Sequence, residues 1–96
     1  MNIGKAIKAL LERKEMTQKE LASKTGLSPT SISLLMTGQT EPRKETIELI
    51  AQALDVKPEL LRFLSLSKED VPEEKRALYD LVWPQLETTF VNLFVK

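Results

Sequence analysis

The side chains best suited to chemistry in this sequence are hydroxyls and amides, gathered between positions 18 and 40. Thr30, Ser31 and Ser33 lie within four consecutive residues, with Ser28 just ahead, Gln18 upstream, and Thr37, Gln39 and Thr40 downstream. A hydroxyl becomes a nucleophile only beside a base. The chain has no histidine, so imidazole acid–base chemistry is excluded. It has no cysteine either, which removes thiolate chemistry, disulfides and Cys/His zinc sites. What these groups can still do is hydrogen-bond to the polar edges of another molecule.

The charge pattern says which kind of molecule. Formal net charge is zero, but residues 1–66 carry ten Lys/Arg against eight Asp/Glu, and residues 67–96 carry four against six. Residues 21–40 contain no acid and a single base, Lys24, and Arg43 and Lys44 follow shortly after. An acid-free window next to two bases suits a polyanion better than the overall sum suggests.

These residues need a rigid support, and the flanking sequence reads as short helices. Ile3, Ile7, Leu10 and Leu11 fall on one helical stripe, which should stop near Lys14-Glu15. Thr17-Gln18-Lys19-Glu20 is a capping box for a short second helix that Gly26 ends. Ser28-Pro29 opens a third helix with Ile32 and Leu35 on its buried side, closed by Gly38. Beyond Pro42, Thr46-Ile47, Ile50-Ala51 and Leu54 form a fourth helix, and Lys57-Pro58 starts a fifth carrying Leu60, Leu61 and Leu64. Two helices joined by a tight glycine turn cross steeply, so the residue at the crossing must be small. Ala22 sits there, with Leu21, Leu27, Ile32 and Leu35 closing the core beneath. A third helix propped outward in this way can enter a DNA major groove.

Thr17-Gln18-Lys19-Glu20-Leu21-Ala22, Gly26-Leu27-Ser28, Ser31-Ile32-Ser33, Gly38, and Pro42 followed by Glu45-Thr46-Ile47 together resemble the phage-repressor/Cro-type helix-turn-helix family. The likeness runs from about Ile3 to Leu61. It implies a five-helix repressor-like DNA-binding domain over 1–66; with the C-terminal helical extension over 67–96, kinked near Pro84, that the tail's own residues predict, the fold is expected to be all-α. It also implies double-stranded DNA as partner. Gln18 matches the position that holds a phosphate, and Thr37, Gln39, Thr40, Arg43 and Lys44 match a second backbone-contact region. Ser28, Pro29, Thr30, Ser31, Ser33 and Leu34 are the outward positions expected to meet bases. The plain alternative for each of them is a solvated surface residue.

Two departures from the family pattern matter. Members commonly carry an arginine where this chain has Leu11 and a glutamate where it has Met36, the two forming a buried ion pair. Joint replacement by apolar residues is tolerable where loss of one partner is not, and it predicts that Leu11 and Met36 touch. The outward helix positions also lack Arg, Lys, Asn and Gln, so bidentate base contacts are not available from that surface. Modest specificity, leaning on A·T content and groove shape, is expected.

The tail reads as a further helical segment. Asp70-Val71-Pro72-Glu73-Glu74 is a helix-start pattern, and Leu78, Leu81-Val82, Leu86, Phe90 and Leu93-Phe94 continue at helical spacing. Pro84 interrupts the run, which predicts a kink or two helices. Residues 88–95 have strand-like composition, leaving an exchanged strand as the alternative. Tyr79, Val82, Trp83, Leu86, Phe90, Leu93 and Phe94 are the expected homodimer contacts. Cover for the first domain, or a different protein such as a toxin, are the competing uses of the tail. Enzymatic activity and a cofactor are not expected. The amino terminus lacks the apolar core of a secretory signal and no apolar run is long enough to span a bilayer, which predicts a cytoplasmic protein without membrane contact.

Overall fold

The computed structural model describes residues 1–95. Six α-helices follow in order: α1 (Ile3–Lys14), α2 (Gln18–Thr25), α3 (Pro29–Met36), α4 (Lys44–Ala53), α5 (Pro58–Leu64) and α6 (Arg76–Phe94). Two short 3-10 turns, Lys68–Asp70 and Glu73–Lys75, link α5 to α6. Among the described residues there is no strand.

Local chemistry accounts for most of these boundaries. The Asn2 side chain accepts the Lys5 amide and caps α1. At α2 the Glu20 amide donates to the Thr17 hydroxyl at 3.1 Å while the Thr17 amide donates to the Glu20 carboxylate at 3.3 Å, the expected reciprocal box. Gly26 closes α2 at φ 76°, a conformation in which a Cβ would be strained. Pro29 and Pro58 occupy first-turn positions of α3 and α5, where a missing amide proton costs nothing. Helix α3 stops at Met36, two residues before Gly38. The Thr37 hydroxyl donates back to the carbonyls of Ser33 and Leu34 and satisfies the last turn.

The core lies where α1, α2, α3, α4 and α5 converge. Ile7, Leu10, Leu21, Ile32, Ile50, Leu54, Leu61 and Leu64 are fully buried there. Leu11 is buried in this cluster and Met36 packs against it; Met36 also lines a groove with Met1, Asn2 and Ile3.

The tail is the expected helical extension. Of the two forms open at Pro84 it takes the single helix, α6 running through the proline, and it remains helical to Phe94, which removes the strand alternative for residues 88–95. Tertiary packing overrides the local strand preference: Phe90 and Val91 pack on the core, and Val95 is buried in it. Phe63 of α5 anchors the docking, with ring centroids 5.0 Å from Trp83 and 4.4 Å from Phe90. Lys5 of α1 sits over the Trp83 ring at 5.3 Å and 3.6 Å from the Glu87 carboxylate, which also accepts the Trp83 indole N–H. The linker is tied down as well. The Asn2 amide donates to the Ser65 carbonyl, and Asp70 is held below the usual carboxylate range by the Met1 ammonium and the Ser67 amide.

Candidate nucleic-acid interface

Helices α2 and α3 and the turn between them form the prop for the candidate surface. Ala22 is buried at the crossing, as its size predicts, and Leu21, Ile32 and Leu35 close the core under the pair, with Leu27 packed partly against it. Thr25 was not singled out by the sequence reading. Its buried hydroxyl donates to the Leu21 carbonyl at 2.8 Å and accepts the Leu27 amide at 3.2 Å, latching the turn across Gly26. Only a structure shows this, because a threonine near a helix end is commonplace in sequence.

With Ile32 and Leu35 buried, the opposite side of α3 faces solvent. Ser28, Pro29, Thr30, Ser31 and Ser33 are exposed, and Leu34 is half-buried. Their hydroxyls are not equally available. The Ser28 hydroxyl accepts the Ser31 amide at 3.1 Å and donates to the Ser31 hydroxyl at 2.9 Å, so it serves as the α3 cap. Thr30 and Ser33 make no side-chain hydrogen bond among the described residues and are free to donate and accept. Leu34 lines a shallow groove of about 300 Å³ with Leu27, Pro42, Arg43 and Thr46.

The expected backbone-contact residues Gln18, Thr37, Gln39, Thr40, Arg43 and Lys44 are all exposed. Gln18 is the first residue of α2, where amides point outward and the helix dipole favours an anion. Arg43 precedes α4, and no side chain caps that helix, so its first amides are open to an acceptor. The loop is partly pre-set: the Gln39 side-chain amide donates to the Thr37 hydroxyl at 3.1 Å and the Gln39 main-chain amide donates to the Leu34 carbonyl. Glu41 lies in the same groove as Arg43, and Glu45 sits in the first turn of α4. The acid-free stretch thus ends abruptly, and at this end of the surface the basic side chains are Arg43 and Lys44.

An outward helix on a glycine-turn prop, flanked by the capped start of α2 at Gln18 and the uncapped start of α4 at Arg43, is the geometry of a helix-turn-helix reader. The helix-turn-helix family model matches residues 7–61, more than half of the chain. The chain belongs to the helix-turn-helix family of phage-repressor/Cro type. It is also similar to multiprotein-bridging factor 1 of Debaryomyces hansenii, with 37% identity over 57 residues that make up 59% of this chain and 38% of that protein. That likeness covers well under half of the relative. No solved structure matches the chain. Family membership supports DNA binding; among the described residues no helix is long and apolar enough to cross a membrane.

The expected dimer contacts divide. Tyr79, Trp83 and Phe90 are half-buried, in an aromatic run with Phe63, whereas Val82, Leu86, Leu93 and Phe94 are exposed. Leu78 and Leu81, placed on this helix by their spacing but not among the expected dimer contacts, are 58% and 77% exposed. The signal was present: Arg76, Asp80 and Glu87 mark the opposite side of the same helix.

Proposed function

We propose that this protein is a homodimeric, sequence-specific transcriptional regulator, acting as a repressor in the cytoplasm, that reads the major groove with residues 28–35. It performs no catalysis. The observation that carries this reading is the pair of free, exposed hydroxyls of Thr30 and Ser33 on a helix whose other side is locked into the core. Those hydroxyls form single hydrogen bonds to base edges, and Pro29 and the Thr30 methyl pack on thymine methyls. Gln18 and the open start of α4 at Arg43 and Lys44 seat the flanking phosphates. Two copies meet two half-sites about one DNA turn apart.

The test is selection of binding sites from random duplexes, with affinity measured at two salt concentrations. The expected product is a pseudo-palindrome with A·T-rich spacing. With Arg43 and Lys44 as the main cationic contacts, the slope of log K on log salt should be about −2 per subunit. Recovery of no common sequence would overturn the reading.

A second reading has its own support. The exposed apolar side of α6, together with the name of the matched relative, fits a module whose tail binds a different protein, such as a toxin, while the domain binds DNA. A defined one-to-one complex with an unrelated small protein, one that replaces self-association, would favour it.

A further inference from the structure

Helix α6 is 19 residues long, about 28 Å, and its two sides differ sharply. Its three charged residues are all engaged within the chain: Arg76 donates to the Val71 carbonyl, Asp80 pairs with Lys68 at 2.7 Å, and Glu87 pairs with Lys5. The other side, Leu78, Leu81, Val82, Gln85, Leu86, Thr89 and Leu93, carries no charge in a protein whose charged share is 29%. Leu78, Leu81, Val82, Leu86, Leu93 and Phe94 are exposed. Outside α6 the only exposed large hydrophobics among the described residues are Met1 and Leu66.

We infer that this uncharged side of α6 is where a second copy of the chain docks, by pairing with the same side of the other α6. The inference rests on the proposed homodimeric regulator and assigns its interface. Three observations select this occupant. A surface without charges meets its own image with no like-charge repulsion, whereas a charged partner would leave its ions unpaired. Helices α1–α5 expose no large apolar side chain, so the broadest apolar seat this face would find on a second copy is the same face, and a self-matching contact closes as a two-fold dimer instead of growing into a fibre. A mainly apolar groove of about 290 Å³, lined by Leu60, Phe63, Phe90 and Phe94 with Lys57 and Glu59, opens between α5 and the C-terminal end of α6. It sits at the lower edge of the 300–1,000 Å³ typical of small-molecule sites and suits an inserted side chain. A single helix pair is short of the roughly 800 Å² per partner of a stable interface, so this groove extends the contact.

This face keeps Val82, Leu86, Leu93 and Phe94 of the contacts read from sequence, adds Leu78 and Leu81, and leaves out Tyr79, Trp83 and Phe90, which are half-buried in the aromatic run with Phe63.

Sedimentation equilibrium of the full chain without DNA tests the assignment, comparing the wild type with Leu81→Glu, Leu78→Glu and the control Gln52→Glu on the exposed side of α4. Circular dichroism verifies that helicity is kept, as expected for exposed positions. The expected result is a monomer–dimer equilibrium that Leu81→Glu and Leu78→Glu each weaken by about 30-fold or more, with the control unchanged. A wild type that stays monomeric up to concentrations on the order of 0.1 mM, or variants that dimerise like the wild type, would overturn it. Binding of Leu81→Glu to a single half-site duplex reports separately on DNA reading, so the two claims fail independently.

Discussion

Gly4 of α1 lies directly against the main chain at the end of α3: a methyl built there would overlap the Met36 carbonyl oxygen and stand 2.9 Å from its carbon. Helix α3 is therefore fixed at both ends. The Thr25 latch holds its entry, and close approach to α1 holds its exit.

Gly4→Ala gains about 1 kcal/mol of helix propensity and meets backbone that cannot swing aside. Overpacking should win, for a net loss of about 1–2 kcal/mol. Urea unfolding of the pair checks it; equal or higher stability in the alanine variant would show that α1 and α3 separate easily.

Thr25→Val keeps the shape and removes the hydroxyl, leaving the Leu27 amide without its side-chain acceptor. A loss of about 1–3 kcal/mol is expected, together with weaker DNA binding because the turn sets the angle of α3. Unfolding and duplex titration should move together, and an unchanged midpoint would remove the latch from the account.

Leu11→Arg places one charge in a core that offers it no carboxylate partner, because position 36 is methionine. The expected cost is about 3–5 kcal/mol. Adding Met36→Glu should recover part of it if the two side chains meet. No recovery in the double variant would mean that they do not touch.

Arg43→Ala and Thr30→Ala should differ in kind. The first weakens every duplex alike and lowers the salt slope by about one; the second relaxes preference at one base pair and leaves the slope alone. Competition with selected and scrambled duplexes at two salt concentrations separates them.

What the sequence showed and what it hid follow from how local each cause is. The Thr17–Glu20 box, the Gly26 turn and the Ser28-Pro29 start depend on residues within one helical turn of each other, and each is found where expected. The exposed and buried sides of α3 were legible for the same reason, since Ile32 and Leu35 mark them. The Gly4 contact, the Thr25 latch and the docking of Trp83 on Phe63 join elements remote in sequence or need side-chain direction, which periodicity does not supply. Pro84 shows the converse: of the kink or break it predicts, the break into two helices does not occur, because the turns on both sides of it are anchored to the body of the chain through Trp83 and Glu87.

The central claim is that α3, propped outward, reads base edges through its own side chains. The most direct test is duplex affinity of a triple variant, Gln18→Ala with Thr30→Ala and Ser33→Ala, on the site selected by the wild type. All three positions are exposed, so the fold should survive. The expected outcome is a fall of at least 100-fold on that site, down to the affinity for scrambled DNA. Retention of wild-type affinity and preference would contradict it and move recognition to another surface.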